Sequence, residues 1–235
     1  MQNNRSIQNR QNKQMTDLHD TNKNVHGWRI AVGLGACGIA AGAESLFERA
    51  RNKAASYLCS VGITGCAGAC HREPMLELYS PDGGHWTYVH LTDEGIDRIF
   101  DEHISSGKPV DEFLLEGEDR GAAVRSFYGK QKRVVLENCG VIDPESLADY
   151  QAVDGYVALE KVLKTRSPQQ VIEEILASGL RGRGGAGFPT GKKWQFTASA
   201  PGPDKVIICN ADEGDPGAFM DRGLLESDPH RVIEG

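Results

Sequence analysis

Apolar positions along this chain follow two periods, and the switch between them marks the elements. Trp28 to Val32 is apolar enough for a strand, and a loop of small residues, Gly33-Leu34-Gly35-Ala36-Cys37-Gly38, follows it. From Ala43 to Leu58, Leu46, Phe47, Ala50, Ala54, Tyr57 and Leu58 fall on one face, which predicts an amphipathic helix. Cys59 and Val61 belong to a short second strand. Met75 to Tyr79 and Trp86 to Val89 read as two strands joined at Pro81-Asp82-Gly83-Gly84, a strong hairpin signal. Thr92 is placed to cap a helix running to about Ser106, with Ile96, Ile99, Phe100 and Ile104 on its buried face.

Strand, helix, strand, hairpin, helix is the order of a small thioredoxin-like domain, so residues 26–115 are expected to form an α/β unit of that kind. Val110 to about Arg133 has weak periodicity and is expected to be a linker. Residues 116–235 then read as the start of a second domain. Asp143-Pro144 is expected to start a short helical segment, and a further helix to span about Tyr156 to Lys164. Ser167-Pro168-Gln169-Gln170 combines a capping residue, Pro at the first helical position and Gln three residues after the cap. That helix should run to Ser178 and stop at Gly179. Lys205 to Cys209 reads as a buried strand delivering Asn210-Ala211-Asp212-Glu213-Gly214-Asp215 at its end, where ligands sit in open α/β sheets.

Composition narrows the function classes. The 235 residues suggest two domains, and a net charge of −7 argues against a nucleic-acid partner. No run of about 18 apolar residues is present, so direct membrane insertion is not expected. Residues 1–25 are rich in Gln and Asn, carry no apolar signal core, and are expected to be a disordered tail. The six cysteines, without a secretory signal, favour metal or redox roles in the cytoplasm over disulfides.

Two clusters carry candidate chemistry. Five glycines fall between Gly182 and Gly191, followed by Lys192, Lys193, Trp194 and Phe196. Glycines let backbone N–H groups approach a ligand, cations meet phosphate and aromatic faces meet flat rings. Gly182, Gly184 and Gly187 fit G-x-G-x-x-G, but they follow a helix, not the strand of a Rossmann unit. A P-loop frame fails too, with Ala186 in place of its first Gly and Lys193 in place of the magnesium-binding Ser or Thr. The plainer alternative is a glycine-rich surface loop. The second cluster is Cys66-x3-Cys70 with Cys37 upstream.

Leu180-Arg181-Gly182-Arg183-Gly184-Gly185-Ala186-Gly187-Phe188-Pro189-Thr190-Gly191-Lys192-Lys193-Trp194, followed by Cys209-Asn210-Ala211-Asp212-Glu213-Gly214-Asp215-Pro216-Gly217, resembles the NADH-oxidising flavoprotein subunit of respiratory complex I. It is closer still to the equivalent subunit of NAD(P)-reducing, often bifurcating, iron-iron hydrogenases and related formate dehydrogenases. The resemblance continues through Asn138-Cys139-Gly140-Val141-Ile142-Asp143-Pro144 into the N-terminal domain. It implies a thioredoxin-like ferredoxin domain followed by the first part of a complex I flavoprotein-type FMN-binding domain.

It further implies that Gly182, Arg183, Gly184, Gly185, Gly187 and Lys193 cradle the FMN phosphate and lie against NADH, and that Phe188 and Phe196 form the platform for the rings of NADH. Asn210, Asp212 and Glu213 would line the flavin pocket, with Asp215 approaching the nicotinamide nucleotide. Carboxylates there would repel the extra phosphate of NADPH, which favours NADH, although the complex I proteins carry Glu where this chain has Asp215. Hydride would pass from nicotinamide to flavin and electrons would leave singly through iron–sulfur clusters, with no side chain required as acid or base. The partners implied are NADH and other subunits of a hydrogenase or NADH dehydrogenase complex.

The resemblance also implies Cys37, Cys66 and Cys70 as ligands of a [2Fe–2S] cluster, but the family's first ligand falls on Val32, which cannot bind iron. Three readings stay open: the cluster is lost, a substitute such as His71 or Cys59 completes it, or the cysteines hold something else such as zinc. Cys139 and Cys209 are expected to be plain buried residues. The family's [4Fe–4S] domain and Glu-Glu loop are absent from this sequence. The chain is therefore expected to be an N-terminal fragment, inactive in isolation, with a non-catalytic docking module as the alternative.

Overall fold

The computed structural model describes residues 27–116, 132–183 and 186–235. The expected tail, most of the linker and the site glycines Gly184 and Gly185 lie outside the described residues. The described residues up to Gly155, together with Glu213–Ile233, make one compact unit, and Tyr156–Asp212 with Glu234–Gly235 make a second.

The first unit is built on strands β1 (Trp28–Gly33), β2 (Cys59–Thr64), β3 (Leu76–Tyr79), β4 (His85–Tyr88) and β5 (Leu114–Glu116), in the order β2-β1-β3-β4-β5. β1 and β2 run parallel, and β3, β4 and β5 are each antiparallel to the strand before them in the sheet. A parallel pair needs a crossover, and here helices α1 (Ala36–Ala40) and α2 (Ala43–Ala54) supply it. This is the thioredoxin-like arrangement that the order of elements implies. Ile30 and Val32 alternate onto one face of β1, opposite Leu78 and Leu76 of β3. Leu46 and Ala50 of α2 pack there, as do Ile96, Ile99 and Phe100.

Those last three lie on α3 (Asp93–Arg98) and the π-helical turn that continues it, Ile99–Ile104. The Thr92 hydroxyl accepts from Gly95 N–H at 3.2 Å, as its capping position implies. Arg49 and Lys53 of α2 reach Asp97 of α3, and the hydrogen bond from Arg49 holds the Asp97 carboxyl down at about 2.

Four expectations need correction in this region. The small-residue loop after β1 winds into α1, because Ala36, Cys37 and Ala40 tolerate a tight turn beside the sheet. The helix from Ala43 stops at Ala54, so Leu58 leaves the apolar face and is exposed. The start of the expected linker belongs to the fold: Val110 is fully buried, and β5 pairs with β4. Asp143-Pro144 does not start a helix. Ser146 caps α4 (Leu147–Ala152) by accepting from Asp149 N–H, and Asp143 stays in the turn before it.

In the second unit, α5 (Val157–Thr165) leads into α6 (Pro168–Ser178). The Ser167–Gln170 capping box is complete in both directions, and Gly179 ends α6 in the left-handed region at φ 69°. The glycine loop then joins α7 (Thr190–Ser199). A Cβ on Gly191 would meet Leu176 N at 2.7 Å, so a glycine is what lets α6 and α7 approach. Among the described residues of this unit only Ile172 and Gly191 are buried.

Lys205–Cys209 is not a buried strand. It forms no strand, and Ile207 is 96% exposed. A central strand needs a neighbour on each edge and a covered face, and among the described residues nothing supplies either. Cys209 is accordingly exposed, whereas Cys139 is buried as expected. The chain returns to the first unit with α8 (Met220–Ser227), followed by α9 (Pro229–Glu234). In that unit Asp228 is buried and accepts from Asn138 Nδ2 and Arg231 Nε, both at 2.9 Å.

Candidate functional site

The topology of the first unit brings three separate segments to one end of the sheet. β1 and β2 are parallel and end in register, Gly33 opposite Thr64, so the residues after each emerge side by side. β3 is antiparallel to β1 and begins at that same end, with Leu76 opposite Val32. The first segment carries Cys37 in the opening turn of α1. The second carries Cys66 and Cys70, the latter opening a short 3-10 turn (Cys70–Arg72). The third carries Glu73.

The Sγ atoms of Cys37, Cys66 and Cys70 all lie within 4.8 Å of one another, and those of Cys66 and Cys70 are 3.6 Å apart. Gly68 N–H donates to Cys66 Sγ at 3.3 Å. Cys37 Sγ lies 3.6 Å from Glu73 Oε1, while Glu73 Oε2 accepts from Met75 N–H at 2.9 Å. Gly33 makes room for this carboxyl, since a Cβ there would stand 3.2 Å from Glu73 Oε2.

Burial, reinforced by the neighbouring Cys66, Glu73 and Cys70, pushes the Cys37 thiol far above its usual range. Burial likewise raises Cys66, against the pull of Cys37 and the Gly68 N–H. It raises the Glu73 carboxyl too, against the Met75 N–H and the two thiols beside it.

Cys59 is not part of the group. Its thiol points to the Ser60 carbonyl, and burial pushes it up to about 12. His71 is also outside it. A [2Fe–2S] cluster takes four ligands. The side chain at the family's first ligand position, Val32, is 1% exposed and lies in the apolar core. The cysteine donor set present here does not fit that cluster.

In the second unit, the glycine loop closes on itself through a bridge between Arg181 and Pro189, with Gly182 N–H donating to the Phe188 carbonyl at 2.9 Å. Arg181 Nε donates to the Gly187 carbonyl, and Gly187 sits at φ 57°. Arg183 and Lys193 are exposed around the loop. Phe188 and Phe196 have ring centroids 6.4 Å apart, and both rings are exposed. Among the described residues, the exposed cations Arg183 and Lys193 beside the loop and the N-terminus of α7 fit one side of an FMN phosphate cradle.

The acidic turn is organised differently from the expectation. Asn210 Oδ1 accepts from Asp212 N–H at 3.0 Å, a local turn in the second unit. Glu213 and Asp215 lie in the first unit. The Glu213 carboxylate accepts from Asp221 N–H at 2.7 Å and Arg222 N–H at 3.0 Å, which caps α8. Asp215 contributes its backbone carbonyl to Ala218 N–H. Glu73, beside the cysteines, is not apparent as a site residue from sequence. It carries one faint signal, a carboxylate three residues after Cys70 and directly before Pro74.

Comparison with known proteins bears on both parts of the chain. Residues 175–235 match the family described as the Nuo51 FMN-binding domain. The chain is 56% identical over 105 residues to the NADP-reducing hydrogenase subunit HndC of Solidesulfovibrio fructosivorans, covering 45% of this chain and 21% of that one. It is 52% identical over 102 residues to an NADH-quinone oxidoreductase subunit of Rhizobium meliloti, covering 43% and 24%. Over part of its length, then, the chain is a relative of these oxidoreductase subunits, and the matched stretch spans less than a quarter of their length.

Among solved structures, the wild-type thioredoxin-like [2Fe–2S] ferredoxin from Aquifex aeolicus aligns at 21% identity with a TM-score of 0.34, covering 38% of this chain and 97% of that one. An air-oxidised NAD+-reducing [NiFe]-hydrogenase aligns at 26% identity with a TM-score of 0.34, covering 85% and 32%. No helix among the described residues is long and apolar enough to cross a membrane.

Proposed function

We propose that this chain supplies part of the NADH- and FMN-binding module of a multisubunit oxidoreductase, an NADH dehydrogenase or an NAD(P)-reducing hydrogenase. Residues 26–115 would be its thioredoxin-like domain, and residues 116–235 would belong to its flavin-binding part. The single observation that carries this reading is the match of residues 175–235 to an FMN-binding domain family, at a place where the exposed cations Arg183 and Lys193 flank a glycine-rich loop. Bound FMN would supply hydride acceptance and release of electrons one at a time.

The residues of the chain would do the positioning. Gly184, Gly185 and Gly187 would present N–H groups to phosphate, Gly182 would keep the loop closed through its bond to the Phe188 carbonyl, and Arg183 and Lys193 would offset the charge. Phe188 and Phe196 would lie against a flat ring. Asn210, Asp212 and Asp215 would meet hydroxyl-bearing parts of the nucleotide, and they disfavour an additional phosphate, so NADH is the preferred donor. Glu213 would act from behind, through the helix it caps.

The test is a chimera. In the Rhizobium meliloti oxidoreductase subunit, the matching segment is replaced by residues 175–235 of this chain. Retained flavin and retained NADH–ferricyanide reduction support the reading. A chimera that folds and assembles but holds no flavin overturns it. A second reading, a non-catalytic docking module, is favoured by Glu213, whose carboxylate is already engaged by two backbone N–H groups. That reading expects the chimera to assemble without flavin.

A further inference from the structure

We propose that Cys37, Cys66, Cys70 and Glu73 form a site for a single tetrahedral divalent cation of the zinc class, with the Glu73 carboxylate completing the coordination that three thiolates leave open. The first argument is the spacing of the sulfurs. A zinc–sulfur bond of about 2.3 Å in tetrahedral geometry places ligand sulfurs roughly 3.8 Å apart. Cys66 and Cys70 already stand at 3.6 Å, and all three sulfurs fall within 4.8 Å. One ion between them needs small side-chain adjustments only. A two-iron cluster needs its ligands divided between two metals, and the family's first ligand position is a valine turned into the core.

The second argument is the carboxylate. Glu73 is 8% exposed, and a buried carboxylate is costly unless it is paired or binds a metal. Its two oxygens have separate tasks. Oε2 is held by Met75 N–H at 2.9 Å, and Oε1 faces Cys37 Sγ at 3.6 Å. One oxygen fixed by backbone and the other facing the Cys37 thiol is how outer-shell hydrogen bonds orient a metal-binding carboxylate; Glu73 stands outside the set of three sulfurs that lie within 4.8 Å of one another, so coordination would draw Oε1 inward. The position is set by the fold, because β3 enters the sheet at the end where β1 and β2 leave it.

A rival ligand is close by. Glu226 Oε2 accepts from Ala36 N–H at 2.8 Å, and its side chain lines a small cavity with Cys66 and Cys70. One of its oxygens is held at the N-terminus of α1, and it is Glu73 Oε1 that touches a cluster sulfur. The structure therefore assigns the fourth place to Glu73.

The experiment uses the 235-residue chain, prepared anaerobically, with metal and acid-labile sulfide measured per chain. Zinc affinity is then read by competition with a chromophoric chelator, and cobalt is substituted to read geometry from its visible d–d bands. The expected result is about one zinc per chain, no sulfide, and an intense tetrahedral cobalt spectrum with thiolate charge transfer. Glu73→Gln keeps the acceptor for Met75 N–H and should lower zinc affinity by about 10- to 100-fold, while Glu226→Gln leaves it unchanged.

Should Glu73→Gln fail to fold by circular dichroism, Glu73→Asp, which keeps the charge and shortens the reach, takes its place with the same expectation. About two irons and two sulfides per chain would overturn the proposal. So would a chain that binds no metal in excess zinc. Affinity lost with Glu226→Gln and kept with the Glu73 variants would overturn the assignment of the fourth ligand.

Discussion

The two units of this chain use their apolar residues in opposite ways. In the first, alternate positions of the strands and one face of α2 and α3 converge on a single core of fully buried side chains, among them Ile30, Leu78, Tyr88 and Phe100. In the second, Val206, Ile207 and Ile208 are as apolar as any strand in the first, yet they are exposed. The difference is the presence of partners. A strand is stabilised by the ladder and the covered face on either side of it, and hydrophobicity without them leaves an extended, solvated segment.

Core truncation should break the comparison most visibly. Leu78→Ala is expected to cost the first unit about 2–5 kcal/mol, because the side chain is fully buried between sheet and helices. Ile207→Ala should change stability by less than about 0.5 kcal/mol. Urea unfolding, with hydrogen exchange to locate the loss, checks both. Equal effects at the two positions would mean that the exposed segment is packed in solution.

A change of pH sharpens the same contrast. His103 is 1% exposed among Trp28, Trp86 and Tyr88, and its Nδ1 is hydrogen-bonded with the Tyr88 hydroxyl at 2.6 Å. Burial lowers its pKa from 6.5 to about 4. The unfolded chain therefore binds a proton between those values that the folded chain refuses. The stability this provides is complete above pH 6.5 and is lost as the pH falls towards 4, by roughly 3 kcal/mol at most. Unfolding midpoints at about pH 7.5 and about pH 5 should differ for the wild type, and the difference should shrink in His103→Gln.

The caps give smaller effects. Ser167→Ala should destabilise α6 by about 1 kcal/mol, seen as faster amide exchange in its first turn. Arg49→Ala removes an ion pair at the surface and should have the smallest effect of the series, with a salt dependence that the wild type shows and the variant lacks.

Much of the first unit is legible in the sequence, for reasons that lie in particular residues. The alternation of Ile30 and Val32, the hairpin signal at Pro81-Asp82-Gly83-Gly84 and the cap at Thr92 are local statements, and each is met locally. The same holds for Ser167 and Gly179 around α6. Misreadings arise where a local signal depends on something distant. Lys205–Cys209 looks like a strand because it is apolar, and nothing in that segment says whether a neighbour will pair with it. Val110 and Leu114 look like linker because their pattern is short, yet the open edge of β4 takes up the strand that Leu114 begins.

The candidate sites divide along the same line. The glycine loop, its cations and its aromatics are contiguous, and sequence alone determines that exposed backbone and positive charge occur together there. It also determines that Val32 cannot ligate a metal, since side-chain chemistry does not depend on the fold. The meeting of Cys37, Cys66, Cys70 and Glu73 was decided by tertiary structure. A parallel pair ending in register and an antiparallel strand starting at the same end gather residues up to 36 positions apart, and that convergence is a property of strand direction that no window of sequence contains. Glu213 shows the converse. Its residue type suggests a ligand, but the fold gives its carboxylate to the first turn of α8, because unsatisfied N–H groups at a helix start are the nearest strong donors.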